Sequence, residues 1–548
     1  MKINNWLLVL LALTTTFIGC DKDPTDNNTS LADNYYESSD PAGTLYILSI
    51  TEKTSRAAHA GDSYVLTIKQ MGQPDKESKG SVSTIGADGM TMKPTKADSE
   101  PFGVSVSKGK MTAITGIIPL EDGEEFQAPD WLMPIDKTFT GVEDMAAWLK
   151  AQPANTPSTF YGVKLNIAAD RSWDIRSAIR DNDTKYIGLD ISGSTFIGGI
   201  GGDDFGGCTN LICITIPNNS ITRGGAFLNC SNLTAINVTP DNSEYSSHNG
   251  VLYDKDKTAL YTYPAGKKGK SFTIPDGVTS IGDAAFHDCS SLVSITIPDS
   301  VTSIGNSAFR ECAGLTGITI PNGVTSIEQS VFDGCTGITN ITIPNSVNNI
   351  GRNAFRGTSL TNITIPDSVT NIGPYAFEGT GLTGVTIPNG RIEGNAFDGC
   401  TRLTSVTIGS GVTGIGSNAF RGTNLSSLTI RNGITGIGNW AFAECAGLIG
   451  VTIPDSVTSI GVNAFLNCTG LTSVTIGSGV TSIGQQAFGG CTRLSSVKFE
   501  SAITSENFNN YAFLGLGDLR AKYLAANGGI GTYTSVAPLS GNSVWTKQ

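Results

Sequence analysis

LVSITIPDSVTSIGNSAFREC, residues Leu292 to Cys312, decides the fold, because the chain repeats it along most of its second half. The next copy, LTGITIPNGVTSIEQSVFDGC, runs from Leu315 to Cys335 and is displaced by 23 residues. The phenylalanine that follows a small residue marks the period: Phe286, Phe309, Phe332, Phe355, Phe377, Phe397, Phe420, Phe442, Phe465 and Phe488. Successive gaps are 23, 23, 23, 22, 20, 23, 22, 23 and 23 residues. A steady period of this size marks a solenoid in which each repeat is one coil.

Within one coil, Leu292, Ile295 and Ile297 stand at i, i+3 and i+5, and the last two alternate with Thr296 as a short strand does. Pro298-Asp299-Ser300 ends the strand, since proline brings no amide hydrogen and Asp299 brings a side-chain acceptor. Val301 and Ile304 turn back inward, Gly305 allows a bend, and Phe309 and Cys312 complete the ring. One coil cannot close a core, because its apolar edge faces only the next coil. Stacking coils about 4.8 Å apart buries a continuous core and pairs the strands. Where Thr358, Thr380 and Thr423 replace the cysteine, the next leucine arrives one residue sooner, so the coil shortens in a loop and keeps its core register.

The repeat LxxIxIPxxVxxIxxxAFxxC resembles the BspA-like class of bacterial leucine-rich repeats, from roughly Leu211 to Cys491. The resemblance implies a right-handed superhelix with short parallel strands, of the kind carried by secreted or surface proteins that bind other molecules.

The segments before the repeat differ in kind. Met1 to Gly19 reads as an export signal: Lys2 supplies a positive start, and Trp6 to Leu13 is an apolar run too short to span a bilayer. Phe17-Ile18-Gly19-Cys20 resembles a lipobox, with Phe17 and Ile18 as departures, and implies a lipid on Cys20. The alternative is an ordinary secretory signal with an incidental cysteine. Asp21 to Gly43 lacks apolar periodicity and is expected to be a solvated tether. Residues 44–122 carry short β-branched runs (TLYILSI, SYVLTIKQ, GVSVSKG, MTAITGIIP), expected to form a small antiparallel, sandwich-like domain of five to seven strands.

Residues 123–200 read as the N-terminal cap of the solenoid. Thr140 and Glu143 give a T-x-x-E capping box ahead of Val142, Met145 and Leu149. Val163, Leu165 and Ile167 alternate as a strand, and Ser172 can cap a second helix carrying Ile175 and Ile179. Residues 201–500 hold the repeats. Between Phe227 and Phe286 the gap is 59, and the excess falls in residues 242–270, where VLY and ALYTY flank DKDKT as a hairpin projecting from or covering the solenoid. Residues 501–548 are expected to cap the far end through a helix over Leu516 to Asn527, with Trp545 as an anchor.

Signals for chemistry are weak. His59, His248 and His287 are scattered, without metal-ligand spacing, and no nucleophile elbow, phosphate loop or H-E-x-x-H is present. No cofactor, metal or catalytic residue is expected. A net charge of −12 argues against nucleic acid and against an anionic membrane surface, which leaves the lipid anchor as the membrane contact. Nine of the 11 cysteines fall three residues after a landmark phenylalanine, where a linear column suits neither tetrahedral zinc nor disulfides. They are expected to be buried free thiols.

Two features point outward. Thr273, Thr296, Thr319, Thr342 and their successors recur between the inward strand residues, as a hydroxyl-rich face. Threonine's preference for strands explains part of that pattern. Tyr253, Tyr261 and Tyr263, followed by Lys267, Lys268 and Lys270, give the insertion large contact residues on an otherwise acidic chain, the alternative being a solvated loop whose tyrosines pack on the adjacent coil. The expectation is a lipoprotein of the outer membrane or cell surface that binds protein partners through this face and hairpin. BspA-like relatives imply host extracellular proteins or other cells as those partners. The alternative is a glycan-binding component of a carbohydrate-handling system.

Overall fold

A computed structural model describes residues 135–548, except 170–172, 197–199, 203, 218–220, 223–224 and 240–241, together with backbone strands between residues 34 and 127. Cys20, His59 and Ser172 lie outside the described residues.

The early strands pair in chain order as an antiparallel meander of seven, from Asn34–Ser39 to Lys110–Thr115, with Ile117–Pro119 and Glu125–Gln127 as a separate pair. The first strand falls inside the stretch expected to be a tether, so the sheet starts before Thr44. The face-to-face packing that would make this a sandwich depends on side chains outside the described residues.

The chain divides into two compact units. In the first, Lys137–Phe139, Tyr161–Leu165, Ile187–Asp190, Leu211–Ile216 and Ala235–Val238 form a parallel sheet in chain order. The helix Val142–Ala151 buries Met145 and Leu149, as its apolar spacing requires. Its N-cap is Gly141 without a side-chain cap bond, so the expected Thr140–Glu143 box does not form. The second helix, Trp173–Arg180, buries Ile175 and Ile179. Asn210 ties down the chain beyond it by donating to the carbonyls of Ile179, Asn182 and Lys185.

The second unit holds most of the repeats, and each coil has three sides. On the first side, a short strand recurs in register in many of the coils, and is reduced to single bridges at Thr319 and Thr342. Ser271–Thr273 pairs parallel with Ser294–Thr296, and Gly450–Ile453 with Ser473–Ile476. The Pro-x-x-Val segment is a turn, with the Val301 amide donating to the Pro298 carbonyl at 3.1 Å. A second strand follows that the sequence reading missed: two residues per coil, such as Ser303–Ile304, pairing parallel with the next coil. The third side is built of turns whose amides also ladder from coil to coil, as in Phe286 N to Ala308 O at 2.7 Å and Phe309 N to Val331 O at 3.0 Å.

The phenylalanines form one stack through the centre. From Phe309 to Phe488 neighbouring centroids lie 5.1–5.6 Å apart and the rings are within 13° of parallel. The coil shortened to 20 residues, between Phe377 and Phe397, keeps the 5.1 Å spacing. It loses residues from the proline turn instead, and Gly384–Ile392 runs on as one strand. Past the last coil, Phe499, Phe508, Phe513, Tyr523 and Tyr533 pack on one another. The helix there is only Leu519–Leu524, shorter than expected. Trp545 is fully buried and donates Nε1–H to the Leu516 carbonyl at 2.8 Å.

Candidate functional site

On the first side of each coil, alternation sends isoleucines inward and threonines outward. Thr273 pairs with Thr296, Thr319 with Thr342, Thr386 with Thr407 and then Thr429, and Thr452 with Thr475. Together with Thr364 they make a row one strand spacing apart, about 4.8 Å per step. All are exposed except Thr407 and Thr475, which are half-buried. Ser294, Gly317, Gly384, Ser405, Ser427, Gly450 and Ser473 run beside them as small polar or side-chain-free positions, with the carboxamides of Asn340 and Asn362 in the same place. The face is therefore uncharged and free of bulky side chains along its length.

Two sets of threonines behave differently. Thr316, Thr404 and Thr472, at the coil's approach to the strand, donate their hydroxyls to the carbonyls of Val293, Thr383 and Ile449 in the preceding coil. The row hydroxyls from Thr273 to Thr475 have no hydrogen-bond partner among the described residues. Spacing alone does not separate these two roles, because both are exposed threonines on the same coil.

The insertion is smaller than expected. The hairpin is Tyr245–His248 against Val251–Asp254, turning at Asn249 and Gly250. Both turn residues have positive φ, 50° and 71°, as the tightest hairpin turn requires. Ala259 and Leu260 instead pair parallel with Ser280 and Ile281, as the second strand of a regular coil. Tyr263 occupies the phenylalanine's place in the stack, 5.3 Å from the Phe286 ring. The sequence carried that signal, since Tyr263 stands 23 residues before Phe286.

Tyr253 and Tyr263 are 1% and 3% exposed, so neither can offer a contact surface, which corrects their assignment as binding residues. Burial also pushes the Tyr263 phenol well above its ordinary range. Tyr261 and Lys267 are half-buried, while Lys268 and Lys270 are exposed. Lys270 directly precedes the strand Ser271–Thr273, so the lysines stand at the start of the threonine row. Lys268, Lys270, Thr273, Thr296, Thr319 and Thr342 thus share one continuous stretch of coils.

All ten cysteines among the described residues are buried and free. Seven of their thiols donate to the phenylalanine carbonyl of the preceding coil, as in Cys312 to Phe286 at 3.0 Å and Cys335 to Phe309 at 2.9 Å, while Cys289 donates to Tyr263 and Cys208 to Arg176. Burial pushes the Cys400 thiol up to about 11 and the Cys208 thiol up to about 12, which suppresses the reactive thiolate. Among the described residues, no three His, Cys, Asp or Glu side chains are placed to hold a metal ion, and no helix is long and apolar enough to cross a membrane.

The family model described as BspA type leucine rich repeat region matches in six copies, over residues 189–250, 261–383 and 390–520. These matches cover more than half of the chain. The chain belongs to the BspA-type leucine-rich-repeat family. This BspA-type chain is similar to a leucine-rich repeat protein from Bacteroides ovatus, at 24% identity over 76% of this chain and 94% of that one, with a TM-score of 0.46. A leucine-rich cell surface protein from Faecalibacterium prausnitzii aligns at 23% identity over 77% and 96%, with a TM-score of 0.33. The pneumococcal vaccine antigen PcpA aligns at 17% identity over 65% and 96%, with a TM-score of 0.36. No curated protein matches the chain.

Proposed function

We propose that this BspA-type solenoid is a non-catalytic binding protein of the cell surface, and that protein partners dock along the threonine row beside Lys268 and Lys270. The observation that carries the reading is the row of outward hydroxyls without internal partners, repeated from coil to coil. Each hydroxyl can donate and accept, and the stacked coils beneath repeat the position at a regular interval, so an extended partner is met at even steps. Repeat surfaces gain affinity by spreading contacts over many coils. Host extracellular proteins and other cells are the partner classes proposed. Burial of Tyr253 and Tyr263 leaves only Tyr261 of the three tyrosines with part of its surface open, which favours the threonine row over the insertion as the contact surface.

Anchoring through lipid on Cys20 and display at the outer surface belong to the same proposal. The tests are separate. The purified chain is applied to an array of fibronectin, laminin and collagens. The triple variant Thr296→Glu, Thr319→Glu, Thr342→Glu should melt within a few degrees of the parent and lose at least tenfold in affinity, about 1.4 kcal/mol. Equal affinity in a well-folded triple variant removes the threonine row from the site. Mass spectrometry of the native N-terminus decides the anchor: an acyl mass on Cys20 supports it, and its absence rejects it.

A further inference from the structure

On the third side of the coils from Phe286 to Phe488, the residue two before the phenylalanine sits in the left-handed region. Ala284, Ser307, Ser330, Asn353, Asn395, Asn418, Asn463 and Gln486 hold this turn with φ between 52° and 60°. Asparagine is the side chain that tolerates it best after glycine, and a bulky residue there is disfavoured. Tyr375 and Trp440 nevertheless occupy it, each with φ of 60°. A strained conformation that a small polar residue relieves in neighbouring coils points to a use for the large side chain.

A guanidinium lies near each of the two rings. The guanidinium of Arg352, one coil earlier, lies 5.1 Å from the Tyr375 ring centre, and that of Arg421 lies 5.9 Å from the Trp440 ring centre. Both rings remain half-buried, with part of their surface open. They are three coils apart, about 14 Å at one strand spacing per coil. Between them the same turn position carries Asn395 and Asn418. The Asn395 carboxamide donates to Asp398 at 2.9 Å, and the Asn418 carboxamide makes no hydrogen bond with the described residues. Two aromatic platforms thus bracket two carboxamides, with a cation pinning each ring.

We infer that Tyr375 and Trp440 are the platforms of a second binding site, for a neutral oligosaccharide lying across the turns of the coils between them. A sugar ring offers an apolar C–H face and a rim of hydroxyls. The face is served by an aromatic plane already held in place, and the rim by Asn395, Asn418 and Arg352, while Arg421 is paired with Glu444 at 3.4 Å. The carboxamides donate and accept in several directions, and the Arg352 guanidinium adds further donors. A row of turns on the outside of the coils suits a chain bound along its side. A protein partner would need no such periodic pairing of ring and carboxamide. This site is independent of the threonine row, and failure of either leaves the other standing.

The test replaces each ring by the residue that neighbouring coils already use, Tyr375→Asn and Trp440→Asn. Melting temperature should hold or rise in both, because asparagine fits the turn. The full chain is run in native gels containing xylan, galactomannan, pullulan or soluble starch. Retardation of the parent by at least one polysaccharide, with at least tenfold weaker binding in each variant, supports the site. No retardation by any of the four overturns it, as does equal retardation of parent and variants. Variants that lose binding to a protein on the matrix array, while no polysaccharide binds, also overturn it and assign the rings to a protein contact.

Discussion

Phe332 lies between Phe309 and Phe355, with ring centres 5.6 and 5.5 Å away, and is fully buried. Phe332→Ala should empty a ring-sized space between two coils at a cost of about 3–5 kcal/mol. Thr319→Ala, on the exposed row, should cost well under about 1 kcal/mol. Chemical denaturation of the two variants checks the inward and outward assignments together, and similar losses would sink them. His287 follows Phe286 and tests burial of a different kind. Its side chain is 9% exposed, and Nδ1 has no hydrogen-bond partner. Burial holds its pKa below the ordinary 6.5, Arg310 pushes the same way, and Asp288, Glu311 and Asp333 oppose it. The unfolded chain therefore takes up the proton more readily than the folded one, and stability present above about pH 6.5 is lost as pH falls below it. Thermal midpoints should drop more between about pH 7.5 and 5.5 for the parent than for His287→Asn. Parallel pH profiles would show that His287 is not the group responsible.

At the scale of the element, Tyr263 separates a core member from a contact residue. Tyr263→Phe should leave stability within about 0.5 kcal/mol and binding unchanged, whereas Tyr263→Ala should cost about 3–5 kcal/mol by opening the aromatic stack. Loss of affinity in a stable Tyr263→Phe variant would return it to the binding surface. The sequence hid its place because a 10-residue hairpin, Tyr245 to Asp254, shifts the phase just before it. Counting backwards from Phe286 rather than forwards from Phe227 finds it. The first strand of each coil was legible because Ile295-Thr296-Ile297 alternates, and the phenylalanine and cysteine columns because the period repeats them. The second strand was not, since two residues such as Ser303 and Ile304 are too few to show an alternation. Tyr375 and Trp440 also escaped notice, because the turn position they share carries no fixed residue type; only its backbone angle recurs. The helix near residue 142 was predicted from Met145 and Leu149, while its cap was misplaced by one residue, Gly141 serving instead of Thr140.

For the molecule as a whole, each coil touches only its neighbours, so stability is close to a sum of coil and interface terms. Removing residues 310–332 joins Phe309 to Asp333 and excises one 23-residue period. The shortened chain should still melt cooperatively, and its solenoid should be about 4.8 Å shorter, as read by small-angle scattering. Aggregation or loss of a cooperative transition would show that coils are not interchangeable. The same stack of near-parallel rings has a consequence at the level of the gene. Tandem repeats encoded by related stretches of DNA can gain and lose whole units when strands misalign during replication or recombination. In most folds such an event is ruinous, because it brings unlike surfaces together. Here a lost or gained unit sets phenylalanine against phenylalanine again, and the length of the solenoid can change in whole steps between generations while its core stays the same.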